Sequence, residues 1–423
     1  MILSRRSMIG GLGGSMAVAL VPAIPANASE IKSLEAEIKK ALEGDGVLRL
    51  PPGEIVTRPL VIRRNLSIIG TGTRIRGSGE GPILTVTGAQ SVVLRGLALS
   101  GADGVSGEAL LRGEDVGDLT IEDCSFSDAA GTAVHLEACG GRVSDNRLDR
   151  IGGAGIFARD SRGLEISGNR LADIGNNGIQ VWSSEPREDG TRVTGNQIAR
   201  VKATAGGTGQ NGNGINVFRA GNVIVSGNRI SDCAFSAVRN NAGSACLIAS
   251  NSISRTGEVA IYCEFGFLGA VVTGNMLEDV ALGISITNFN EGGRLAAVNG
   301  NVIRNVTGGG SLESTRGIGI AAEADTAITG NVIEGATDTG IALGWGGYGR
   351  DLSATGNVIR DCGIGIGFSV ASGAGPVLIA NNRISAARNG NIMGTDHGTP
   401  VTSDLAVAGA VAPGGMISGN LID

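Results

Sequence analysis

Short alternations of apolar and polar residues, broken every few positions by glycine and asparagine, run along most of this chain. Residues 166–181 read I-S-G-N-R-L-A-D-I-G-N-N-G-I-Q-V. A two-residue period split by turn formers predicts short β-strands and excludes helix. The unit then repeats. Its asparagine recurs at Asn146, Asn169, Asn196, Asn228, Asn251, Asn275, Asn301, Asn331, Asn357, Asn382 and Asn420, nearly always within V/I-x-G-N-x-I/L, and the shortest step is 23 residues. A fixed period with one turn motif per repeat predicts a solenoid, whose units bury their apolar faces only by stacking. Around 23 residues suit one rung of an all-β, single-stranded parallel β-helix, with rungs about 4.8 Å apart. The asparagine is expected to take the left-handed angles of the turn and to hydrogen-bond its copies above and below. The preference for right-handed crossovers gives the coil its expected hand.

One segment departs from this period. Ile31, Leu34, Ile38, Ala41 and Leu42 fall at helical spacing and Gly44-Asp45-Gly46 stops the run, so residues 29–46 are read as an amphipathic helix capping the first rung. Residues 47–423 are then one β-helix domain. The 38-residue step from Asn382 to Asn420 marks 387–423 as an atypical last rung or loop. Insertions over the basic period lie just before the G-I-x-V strand (202–213, 307–316) or just after it (183–190, 288–294, 344–350), so loops should fringe one sheet.

Composition narrows the partners. The chain has 72 glycines in 423 residues and a formal net charge of −6, which becomes −8 without Arg5 and Arg6 of the first 28 residues. No basic stripe suggests nucleic acid, and a polyanion would need a local positive patch. Six cysteines form no C-x-x-C or Cys/His cluster and are expected to be free, buried thiols without a metal. Ser4-Arg5-Arg6-Ser7-Met8-Ile9, a weakly apolar stretch and a small-residue end at Ala28 resemble a twin-arginine signal peptide over residues 1–28. Export by the twin-arginine translocase to the periplasm or beyond follows. No other stretch is long and apolar enough to insert in a membrane afterwards.

Aligning the rungs on G-I-x-V puts Ile156, Ile179, Ile215, Val238, Ile261 and Ile284 in one inward column, so the residues between them must face outward. One outward column reads His135, Phe157, Gln180, Asn216, Arg239, Tyr262, Ser285, and its neighbour Glu137, Arg159, Trp182, Phe218, Asn241, Glu264, Thr287. Four of only twelve aromatic residues lie in these columns. A long face mixing aromatic platforms with carboxylates, amides and guanidiniums suits a sugar polymer. His135, Glu137, Arg159, Gln180, Trp182, Asn216, Phe218 and Asn241 are therefore expected to bind substrate. Lyase or epimerase chemistry on a uronate needs a neutralised carboxylate and a base, for which Arg239, Tyr262 and Glu264 are the expected catalytic group. Hydrolysis needs two carboxylates, and Glu264 has no acidic partner in its columns, although Glu185, Glu188 and Asp189 lie in an adjoining insertion. The Asp396-His397 dipeptide is read as part of a loop. A column four residues beyond each turn, Asp128, Arg150, Asp173, Arg200, Asp232, Arg255, Asp279, Asn305, alternates in charge and is read as structural pairing.

The signal segment and the repeat from about residue 97 onward resemble a bacterial family of twin-arginine-translocated β-helix repeat proteins of unestablished function. More distantly, the repeat is similar to pectate-lyase-like right-handed β-helix enzymes: pectate lyases, polygalacturonases and alginate epimerases. The resemblance implies the fold and a polysaccharide partner. The chain lacks the D-P-H-D motif of alginate epimerases, the calcium-binding aspartates of pectate lyases and the N-T-D, G-H-G and R-I-K set of polygalacturonases. No catalytic residue carries over, and no motif names a cofactor. The rival expectation is a non-catalytic envelope or matrix solenoid that binds glycan on the same face.

Overall fold

The computed structural model describes residues 33–101, 108–407 and 414–423. The signal segment and Ile31 lie outside them. The first described element is the helix Leu34–Glu43, whose Ser33 hydroxyl accepts from the Ala36 N–H at its N-terminus. Leu34, Ile38 and Ala41 turn its buried face onto the first rung.

From Val47 onward the chain winds as a right-handed parallel β-helix with three strands per rung. One sheet collects the G-I-x-V strands from Leu60–Ile62 to Ile392–Asp396, and every pairing between them is parallel. The other strands flank the asparagine turn. The inward column Ile156, Ile179, Ile215, Val238, Ile261, Ile284 is fully buried and belongs to one apolar core running the length of the coil. All six cysteines are free and buried, and burial pushes the Cys233, Cys246 and Cys263 thiols up to about 12.

The asparagines form an unbroken internal ladder. Each side-chain oxygen accepts the backbone and side-chain N–H groups of the asparagine one rung before it, as Asn251 does from Asn228 at 3.0 Å each. Each side-chain amide also donates to a backbone carbonyl of the preceding rung, such as Asn251 Nδ2 to Val225 O at 3.0 Å. The left-handed turn residue is the one before the asparagine, contrary to the sequence expectation: Gly168, Gly195, Gly227 and Gly274 carry φ of 63 to 67°. The asparagine itself must point inward to ladder, which leaves the bend to its glycine.

The residues of the charged column are left-handed too, with φ from 52 to 58° between Asp128 and Asn305. They pair in twos, Arg150 with Asp128 and Arg255 with Asp232 at 2.6 Å and Arg200 with Asp173 at 2.7 Å. The insertion at 183–190 also differs from expectation. It continues the strand Asn177–Glu188, with a register shift between Trp182 and Arg187 against the next rung.

Candidate functional site

The registers place the outward columns side by side as the sequence implies: His135, Phe157, Gln180, Asn216, Arg239, Tyr262 and Ser285 are successive cross-rung partners. Their neighbours Glu137, Arg159, Trp182, Phe218, Asn241 and Glu264 are likewise successive. The face divides into three stretches along the coil.

The first is an aromatic stack. His135 lies on Phe157 with ring centroids 4.8 Å apart, Phe157 meets Trp182 edge-on at 5.4 Å, and Trp182 meets Phe218 at 5.1 Å. Arg219 covers the far side of Phe218 at 4.8 Å. Glu137 is held by Arg159 at 3.3 Å and Arg112 at 3.5 Å. Burial and the nearby Arg112 lower the His135 pKa, which keeps the ring neutral at pH 7. His135 Nε2, Trp182 Nε1 and Asn216 Oδ1 are buried without a partner among the described residues. Three buried polar atoms beside one aromatic platform thus stay unsatisfied by these contacts. Gln180 lies between Phe157 and Asn216 in this stretch.

The second stretch is a buried ion network. Arg239 donates to both oxygens of Glu264 at 2.6 and 2.9 Å, to Glu258 at 3.1 Å and to the Gly209 carbonyl at 2.9 Å. Four of its five N–H groups are thereby used. Burial opposes the Arg239 charge, but Glu264 and Glu258 outweigh it and raise the pKa. Asn241 Nδ2 adds a bond to Glu264 at 2.7 Å, and Ser236 Oγ one to Glu258 at 3.0 Å. The loop at 202–212 lies over the guanidinium, and a side chain at Gly209 would run into Arg239. Arg239 and Glu264, two of the residues expected to be catalytic, thus neutralise each other beneath a loop. The Tyr262 ring lies 5.0 Å from the Arg239 guanidinium. Burial, with Glu264 and Glu258, pushes its phenol up to about 12, so at neutral pH it stays protonated and can donate a hydrogen bond. Glu185, Glu188 and Asp189 do not join this network; Glu188 accepts from Asn222 at 2.7 Å and Asp189 from the Thr191 N–H at 3.0 Å.

The third stretch opens into a cleft of about 370 Å³, lined among others by Glu258, Tyr262, Ser285, Arg316, Glu323 and Trp345. The insertions at 288–294, 307–316 and 344–350 wall it, as loops fringing one sheet should. Burial raises the pKa of Glu258 against the opposing pull of Arg239, and raises that of Glu323 against the N–H groups of Phe289 and Asn288. Phe289 N donates to Glu323 at 2.8 Å. Arg316 lies 5.8 Å from the Trp345 ring, and donates to Asp338 at 3.2 Å and to the His397 and Gly398 carbonyls at 3.3 and 3.1 Å. The segment of the dipeptide read as loop thereby packs against Arg316 and Trp345, two residues of the cleft wall. The His397 ring meets Trp345 edge-on at 5.7 Å, with its Nδ1 2.7 Å from Asp396 Oδ1.

Glu258, Arg316, Glu323 and Trp345 were not singled out from sequence. Glu323 had a usable signal, since the residues before it pair Ile286 with Ala322 and so continue the Glu264, Thr287 column to it. Among the described residues no group of three or more His, Cys, Asp or Glu side chains could hold a metal ion, and no helix is long and apolar enough to cross a membrane.

Residues 132–302 match the family model of the right-handed β-helix region. No curated protein matches the chain. Among solved structures, a PL6 alginate lyase in complex with a trisaccharide is similar at 14% identity, over 91% of this chain and 93% of its own, with a TM-score of 0.50. The catalytic domain of a GH87 alpha-1,3-glucanase in complex with nigerose aligns at 14% identity over 95% of this chain and 70% of its own, with a TM-score of 0.47. PfbA, a surface adhesin of Streptococcus pneumoniae, aligns at 13% identity over 90% and 93%, also with a TM-score of 0.47. At these identities the likeness to the lyase is one of fold, the right-handed parallel β-helix.

Proposed function

We propose that the protein is an exported β-helix that lays a polysaccharide along its outward G-I-x-V face and modifies it by proton transfer in the cleft, as a lyase or epimerase does. The observation that carries this reading is that one sheet face carries both parts: an aromatic platform with unpaired buried polar atoms and, beyond the loop-covered Arg239, a cleft holding two carboxyls whose pKa values burial has raised. A carboxyl shifted toward neutral pH can both take and return a proton. Glu323 and Glu258 are the proton carriers, the neutral Tyr262 phenol a hydrogen-bond donor, Trp345 a sugar platform, and Arg316 the cation for an acidic group. Arg239 holds Glu258, Glu264 and Tyr262 in place. The trisaccharide carried by the alginate lyase of the same fold supports a glycan partner. Arg5-Arg6 and the small-residue end at Ala28 support passage through the twin-arginine translocase to the periplasm or beyond.

The second reading, a glycan-binding solenoid without turnover, is favoured by one observation: Arg239 is spent on internal carboxylates. Incubation with a panel of acidic and neutral polysaccharides, read by mass spectrometry and NMR, separates the two. The expected result is unsaturated, shortened or epimerised product, reduced about 100-fold in Glu323→Gln with binding retained. Unaltered polymer with intact binding favours the second reading, and the absence of both binding and product ends both.

A further inference from the structure

The asparagine side of the coil carries a feature that the glycan reading of the opposite sheet does not use. One position after each asparagine, the outward residues Arg147, Arg170, Gln197 and Arg229 are consecutive cross-rung partners. Two positions further on, the column reads Asp149, Ala172, Ala199, Ser231. The small residues leave a trough of about 400 Å³, with the arginines on one wall and Arg200 on the other.

The wall residues differ in their pairing. Arg200 is bound to Asp173, and Asp149 at the trough's end is bound to Arg150. Arg147, Arg170 and Arg229 are exposed and make no ion pair or side-chain hydrogen bond with any described residue. Further along the coil the same two columns are filled differently. Met276, Val302, Val332 and Val358 replace the arginines, and Glu278 with Arg304 and Glu334 with Arg360 fill the floor with ion pairs. The open, unpaired stretch is thus local to rungs 147–231, on a protein whose net charge is −6.

We propose that this trough is a second binding site, for a linear acidic polysaccharide. Its anionic groups pair with Arg147, Arg170 and Arg229, and its sugar faces lie over Ala172 and Ala199. The arginines stand in line along the coil axis, about 5 Å and about 10 Å apart by rung spacing. A guanidinium is the group suited to bidentate pairing with a carboxylate or sulfate. A chain can lie in a trough of this shape, whereas a flat lipid surface would touch only its rims. The site is independent of the cleft and stands or falls without it.

The test is calorimetric titration of the protein with a galacturonate hexasaccharide, its neutral methyl ester and vesicles of anionic phospholipid. The variants are Arg147→Gln/Arg170→Gln/Arg229→Gln, Ala199→Glu and Trp182→Ala. The three arginines are exposed and unpaired, so their removal should leave folding intact. Ala199→Glu keeps them but fills the floor with opposing charge. The acidic hexasaccharide is expected to bind, more weakly as salt rises, and to lose about tenfold in affinity per arginine removed. The ester should not compete, and Ala199→Glu should reproduce the loss. Binding of unchanged affinity and stoichiometry in the triple variant overturns the proposal; if Trp182→Ala removes that binding, the outward G-I-x-V face holds the sugar and the first reading stands. Binding to vesicles alone, or no binding of the acidic sugar, also overturns it.

Discussion

The asparagine corner and the outward G-I-x-V face are stacked by the same registers, yet they use repetition in opposite ways. At the corner the same side chain returns in eleven rungs and satisfies itself, each amide bonded to the next and to a backbone carbonyl. On the face hardly any residue type recurs in neighbouring rungs, and polar atoms at His135, Trp182 and Asn216 are left without partners among the described residues. Buried groups that need nothing further are building material, and buried groups left incomplete point to a ligand. The unpaired arginines of the trough, beside the paired columns that continue it, show the same contrast on another side of the coil.

Substitutions on either side of this divide should separate stability from binding. The largest effect is expected from Arg239→Met, which leaves Glu258 and Glu264 buried without their cation and should destabilise by about 3–5 kcal/mol in urea denaturation at pH 7. The loss should shrink as the pH falls. Glu258 has a folded pKa raised above its ordinary 4.5, so its contribution is fully present below that value and is lost as pH rises through the folded one. Asn251→Ala should come next. It strips partners from the Asn228 N–H groups and the Val225 carbonyl, for a loss of about 3 kcal/mol with glycan affinity unchanged in the protein that remains folded. Trp182→Ala should invert that outcome, weakening glycan binding about tenfold with a smaller loss of stability. If Asn251→Ala and Trp182→Ala changed stability and affinity in the same proportion, the divide would be lost. The smallest effect is expected at Asp173→Asn, where an exposed pair with Arg200 gives no more than about 0.5 kcal/mol. Arg200 lowers the Asp173 pKa below its ordinary 3.8, so this small contribution is present above 3.8 and disappears as pH falls through the folded value.

The coil was legible because its registers follow from the period: once Ile156, Ile179 and Ile215 are aligned, the position of every outward neighbour is fixed. The asparagine ladder followed from the same spacing, although the left-handed angle fell on the preceding glycine. The site was legible only where it lies on strands. Which atoms meet at Arg239 depends on how the 202–212 insertion folds back over it, and an insertion has no period to read. Glu258 stands at the edge of its strand, and Arg316, Trp345 and His397 are brought together by three loops and the last rung. The trough was visible as letters, but its meaning rests on which arginines lack a partner, and that is a property of packed side chains.

Both tryptophans of the chain, Trp182 and Trp345, lie on the face assigned to the glycan, one in the aromatic stack and one in the cleft. Tryptophan fluorescence therefore reports on this face alone, and it is followed in the Arg147→Gln/Arg170→Gln/Arg229→Gln background, where the trough is disabled, during titration with oligosaccharides that still bind that variant calorimetrically. The account predicts a saturable change in emission at the calorimetric affinity, with separate contributions assigned by Trp182→Phe and Trp345→Phe. Calorimetric binding that leaves both tryptophan signals unmoved would contradict it.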